Sequence, residues 1–162
     1  MKVLIVSDTH GKHKNLEKVL ELVSPIDLMI HLGDAQGHED YIAEIAGCPL
    51  EIVAGNNDFY SKLDREKIIQ IGPYRAFITH GHYYYVQSSL RDVKRAGKEN
   101  KVDFVMFGHT HIPIIDESDG MITLNPGSIS LPRQEGKKPS YIIMEIDKKG
   151  KYHFFIEFLN RI

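Results

Sequence analysis

The chain has 162 residues, 42% hydrophobic and 26% charged, which fits one globular domain, 1–162, with enough apolar material for a real core and excludes a collagenous, coiled-coil or disordered chain. Lys+Arg 20 against Asp+Glu 22 gives a formal net charge of -2, so the overall field offers no support for a dedicated nucleic-acid or membrane-surface binder. Cys48 is the single cysteine and has no internal disulfide partner, and the apolar run at 3–6 is too short for a secretory or membrane segment, so a cytoplasmic location is expected.

The first apolar run, Lys2 to Val6, reads as a buried β-strand. A helix follows, because Leu16, Val19, Leu20 and Val23 fall at i, i+3, i+4 and i+7, and Pro25 ends it. Strands are expected at Leu28 to Leu32 and Glu51 to Ala54, with a helix over Glu39 to Ala46 between them that Gly47 stops. Ala76 to Thr79 and Val102 to Phe107 continue the series of strands, separated by a helix around Ser88 to Lys98. The last third is β-rich, with strands at Ile122 to Leu124, Tyr141 to Ile146 and Tyr152 to Leu159. Asp147-Lys148-Lys149-Gly150 joins the final two as an antiparallel hairpin that adds to a sheet edge. Short β-branched runs alternating with helices place the chain in the α/β class.

Histidine is over-used, with nine residues and two His-x-His spacings. Each of the five early apolar runs ends in groups able to bind a metal: Asp8 and His10, then Asp34, then Asn56 and Asp58, then His80 and His82, then His109 and His111. Beyond the carboxyl ends of parallel strands such residues converge. Taken singly, each motif is modest, since an Asp-x-His after a strand is ordinarily a turn and a helix cap; together, in strand-end register, they point to a metal. A mixed N/O set without thiolate admits Mn²⁺, Fe²⁺, Zn²⁺, Co²⁺ or Ni²⁺. Seven strong ligands exceed the need of one ion and suit two, about 3.5–4 Å apart and sharing a carboxylate, as in phosphoester displacement. A site of about +1 net charge would attract an anionic phosphate.

The motifs Asp8-Thr9-His10, Gly33-Asp34, Gly55-Asn56-Asn57-Asp58, His80-Gly81-His82 and Gly108-His109-Thr110-His111 stand in the order of a known family. The chain resembles the calcineurin-like metallophosphoesterase superfamily, in particular its small bacterial and archaeal phosphodiesterases of the YfcE type. Asn125-Pro126-Gly127-Ser128 and Leu131-Pro132-Arg133 are similar to that family's tail. The resemblance implies a four-layer α/β/β/α sandwich of two mixed sheets. It implies one metal on Asp8, His10, Asp34 and His111, a second on Asp34, Asn56, His80 and His109, with Asp34 bridging. Two divalent ions, manganese first among them, would direct in-line attack of a bridging hydroxide on a small phosphodiester.

Many members of that family carry a His after the Asn ligand, where this chain has Asn57. The general acid is therefore unassigned, with His82 the candidate for phosphate contact or proton donation, Asn57 a hydrogen-bond donor, and Asp58 a residue that orients a ligand. Without a strong acid, aryl diesters with good leaving groups are favoured. His31 reads as a core histidine, and His13, His38 and His153 as surface or helix-end residues. Phe59-Tyr60 and Tyr83-Tyr84-Tyr85 offer rings for stacking or for packing, while Lys137-Lys138 and the Arg91, Lys94, Arg95, Lys98 face read as solvated charge. A nuclease or cyclic-nucleotide phosphodiesterase is the neighbouring enzyme class, with nucleic acid as substrate, and a non-catalytic protein scaffold of the Vps29 type is the alternative from another class. The resemblance also admits a homo-oligomer.

Overall fold

The computed structural model describes residues 1–160. In chain order it contains β1 (Lys2–Val6), α1 (Lys14–Val23), β2 (Leu28–His31), α2 (Glu39–Ala46), β3 (Leu50–Ile52), β4 (Glu66–Ile71), β5 (Tyr74–Thr79), α3 (Arg91–Glu99), β6 (Phe104–Met106), β7 (Pro113–Asp116), β8 (Ile122–Pro126), β9 (Ser140–Ile146) and β10 (Tyr152–Phe158). Two five-stranded mixed sheets result, in the orders β10-β9-β1-β2-β3 and β4-β5-β6-β8-β7. β1, β2 and β3 run parallel, as do β5, β6 and β8, and antiparallel strands lie on both flanks of each sheet except beside β3.

The two-residue period of the strands sorts their side chains between three apolar layers. Val3 and Ile5, with Ile30, Ile142 and Met144, meet Ile78, Phe104 and Met106 between the sheets. Leu4 and Val6 point the other way, to Leu16, Val19 and Leu20 of α1 and Ile42 of α2. On the far side, Phe77 and Val105 pack on Val93 and Ala96 of α3. Three layers of core separate four layers of secondary structure, which is the expected α/β/β/α sandwich. Gly47, with φ +62°, ends α2 as anticipated.

Two strands lie outside the sequence expectation, β4 and β7, and both are edges of the second sheet. Each has only one neighbour; half the residues of β4 are exposed and none of β7 is buried, so neither shows a continuous apolar run. β7 also opens on Pro113, which an edge tolerates and a central strand does not. Some boundaries shift as well: the third strand is Leu50–Ile52, and the last helix begins at Arg91.

Candidate metal centre

The carboxyl ends of the parallel strands lie along one edge of the sandwich, and each predicted motif follows one of them. Asp8 Oδ1 is 3.0 Å from His111 Nε2, 3.7 Å from His10 Nε2 and 3.8 Å from His80 Nε2. Asp34 Oδ2 lies 3.5 Å from His80 Nε2 and 3.7 Å from His10 Nε2. Asn56 Oδ1 is 3.0 Å from His80 Nε2 and 2.8 Å from His109 Nδ1. All seven side chains named as ligands therefore meet in one cluster.

The backbone is bent to bring them there. Asp8, His10, Asp34, His109 and His111 have φ between 47° and 68°, a left-handed conformation that costs an ordinary L-residue of order 1–3 kcal/mol and persists where surrounding structure enforces it. Enforcement comes from bonds between loops: the Asp8 and His10 N–H groups donate to Gly33 O and Asp34 O, at 3.0 and 2.9 Å, and Gly108 N–H donates to His80 O at 3.0 Å. Gly33 itself has φ +99°, and a Cβ there would lie 2.6 Å from His80 Nδ1. No larger residue fits at that crossing.

The donor set fits a divalent cation. His80 Nδ1 and His111 Nδ1 each lie 2.6 Å from a backbone carbonyl, of Leu32 and Leu131. A carbonyl only accepts, so Nδ1 carries the hydrogen and each Nε2 turns toward the carboxylates, ready to ligate when neutral. Asp8 Oδ1 is buried and makes no hydrogen bond. Acceptors facing acceptors in a buried place call for positive charge between them. Burial pushes the Asp8 carboxyl up, but His10, His111 and His80 hold it well below the usual carboxylate range. Asp34 is likewise raised by burial and brought down to about 2 by His80 and Asn57. Burial lowers His80, and Asp34 and Asp8 outweigh it, raising the imidazole above its ordinary value. Asp8, His10 and His111 form one group and Asp8, Asp34 and His80 another, each with donor atoms within 4.8 Å of one another. Asp8 is common to both, and Asp34 Oδ2 sits between His10 and His80.

The remaining candidates take separate places. Asn57 grips Asp34, donating its backbone N–H to Oδ1 at 2.8 Å and its amide to Oδ2 at 2.7 Å. Asp58 faces the backbone, accepting from the N–H groups of Asp34, Gly55 and Gln36 at 2.6–2.8 Å, and so ties the β2 and β3 loops together. His82 stands beside the cluster, 5.5 Å from the His80 ring and 6.0 Å from His109 between centroids. Its Nδ1 is buried without a partner, and burial, with His80 and His109 nearby, lowers its pKa to about 4. At neutral pH it is an uncharged imidazole.

Several supports had no role assigned from sequence, although Asn125 and Ser128 stand in a segment the resemblance had marked. Ser7 Oγ donates to Asp8 Oδ2 at 2.6 Å, and Ser128 Oγ to the Asp8 carbonyl at 2.8 Å. Asn125 donates its amide to Gly108 O and Thr110 Oγ1, at 2.7 and 2.9 Å, bracing the Gly-His-Thr-His loop from the end of β8. Small polar residues beside strand-end ligands were the available signal. Two cavities flank the cluster: one of about 390 Å³ borders Asn56, His82 and Arg65, and one of about 630 Å³ borders His109, Phe107 and Ile112. Among the described residues no helix is long and apolar enough to cross a membrane.

The chain is similar to known proteins over most of its length. The calcineurin-like phosphoesterase superfamily domain matches residues 1–149. The probable metallophosphoesterase YsnB of Bacillus subtilis is 34% identical, over 91% of this chain and 85% of its own. Phosphodiesterase YfcE of Escherichia coli is 29% identical, over 91% and 89%. Among solved structures, a predicted phosphoesterase from Streptococcus pneumoniae superposes with TM-score 0.79 at 25% identity, covering 96% of this chain and 97% of that one. Vps29 from Entamoeba histolytica, solved in complex with Zn²⁺, superposes with TM-score 0.77 at 22% identity over 99% and 100%, a likeness of fold. The chain belongs to the calcineurin-like phosphoesterase superfamily.

Proposed function

We propose that this protein is a cytoplasmic phosphodiesterase acting as one domain, with two divalent ions, manganese foremost, held by Asp8, His10, Asp34, Asn56, His80, His109 and His111. The observation that carries the reading is the buried cluster in which Asp8 Oδ1 lacks any hydrogen bond while the Nε2 atoms of His80 and His111 point at carboxylates. Bound there, the ions would supply an activated water and Lewis-acid stabilisation of charge on phosphorus oxygens.

The chain's own residues then have distinct work. Leu32 O and Leu131 O lock the tautomers of His80 and His111. Asn57 orients both oxygens of Asp34. His82, uncharged at neutral pH, offers the phosphate a hydrogen bond in place of a cationic acid. A leaving group must then depart with little proton assistance, which favours aryl esters. Cavities on both sides of the Asn56–His109 pair leave room for two ester substituents, as a diester requires and a monoester does not. The complete donor set favours catalysis over a scaffold of the Vps29 type, and an overall net charge of -2 lends the nuclease reading no support.

Protein stripped with a chelator and reloaded with Mn²⁺ or Ni²⁺ should hydrolyse bis-p-nitrophenyl phosphate. Asp34→Asn should lower kcat/KM by more than about a hundredfold and reduce bound metal, because it weakens a carboxylate shared by the cluster. Full activity in that variant, or turnover without bound metal, overturns the reading.

A further inference from the structure

The cavity beside Asn56 has chemistry that metal binding does not use. Its far wall carries Arg65, Phe59 and Tyr83. Among the described residues the Arg65 guanidinium makes no ion pair and no hydrogen bond. It lies over the Tyr83 ring, 4.9 Å from the centroid, a contact that engages the face of the cation and leaves its N–H donors unused. Phe59 and Tyr83 are exposed at 79% and 56%, so both present ring surface at the cavity mouth. His82, at the inner end, adds the unpartnered Nδ1.

A planar fork of N–H donors matches a planar oxyanion, and a guanidinium held on an aromatic face discriminates by charge. Ring faces accept a flat aromatic group. We infer that this cavity binds an aromatic ester substituent that carries its own negative charge, and that Arg65 is the residue that selects for that charge. The inference rests on the phosphodiesterase reading and narrows it to diesters with an anionic aryl arm. The larger cavity, lined by Phe107, Ile112 and Ile114 together with Arg133, takes the other arm.

The test compares phenyl phosphate with 4-carboxyphenyl phosphate as competitors of bis-p-nitrophenyl phosphate hydrolysis. In the wild type the carboxylated compound should inhibit with a constant about tenfold lower, and in Arg65→Gln the two should become equal while phenyl phosphate inhibition and metal content stay unchanged. Equal constants in the wild type, or a preference that survives Arg65→Gln, overturn the inference and leave the phosphodiesterase reading standing. A second readout needs no turnover. The Arg65 Nε–H resonance of chelator-treated protein should shift on titration with 4-hydroxybenzoate and stay in place with phenol; no response to either refutes the cavity assignment even if the protein hydrolyses no diester.

Discussion

His31 is a fully buried imidazole that supports the cluster without joining it. Gly33 N–H donates to its Nδ1 at 3.2 Å, so the hydrogen sits on Nε2, which faces Thr9 Oγ1 at 3.0 Å. The ring thereby bridges the loops that carry His10 and Asp34. Burial holds its pKa at about 4, below the ordinary 6.5. The sign follows: between those values the unfolded chain takes up a proton that the folded one refuses, so His31 contributes a loss of stability as pH falls through that window and none above it. Urea denaturation with chelator present, at about pH 7 and about pH 4.5, should show His31→Gln losing roughly 2 kcal/mol less than the wild type over that interval. Identical losses would mean that the imidazole is not held neutral. Asparagine 57 makes a different point at the same scale. Its identity was plain in the sequence, yet its grip on Asp34 was not, because that bond crosses from the β3 loop to the β2 loop.

The elements that build the site are the turns after β1, β2, β3, β5 and β6 rather than the strands themselves. Gly33 shows how tightly two of them cross, with its φ of +99° and His80 Nδ1 in the place of a side chain. Gly33→Ala should cost about 2–4 kcal/mol of stability, from strain and from displacement of His80, and should reduce metal content alongside it. Thermal melts and metal analysis of the variant check this; a protein as stable and as metal-loaded as the wild type would contradict it. Motif order, strand ends and the α1 period were readable because each is a short-range pattern. β4 and β7 escaped because an edge strand owes its order to one partner: β4 pairs only with β5 and β7 only with β8. The turn Gly72-Pro73 between β4 and β5 was the one local hint.

At the scale of the molecule the cluster is a clasp between the two sheets. Asp8, His10, Asp34 and Asn56 follow strands of the first sheet, whereas His80, His109 and His111 follow strands of the second. No short segment holds the whole set, so an ion that binds here binds the folded chain and stabilises it by mass action. Metal at about a hundred times its dissociation constant adds about 2.7 kcal/mol, which for a chain of this size raises Tm by about 5–10 °C. Scanning calorimetry with Mn²⁺ against chelator should show that rise in the wild type and little of it in Asp34→Asn. An unchanged Tm in the wild type would argue against a metal shared between the sheets.

By itself the sequence determined the α/β class, most of the strands and the motifs that follow them, seven of whose residues the fold gathers into one cluster, since hydrophobic period and local motifs are written in neighbouring residues. Tertiary structure decided which imidazole nitrogen faces inward, which backbones take left-handed turns, and that Arg65, from a stretch with no motif, reaches the cavity beside Asn56. Those features arise from contacts between segments distant along the chain, such as Asp8 with Ser128 or His80 with Leu32. Their energies depend on packing geometry, and no residue pattern records it.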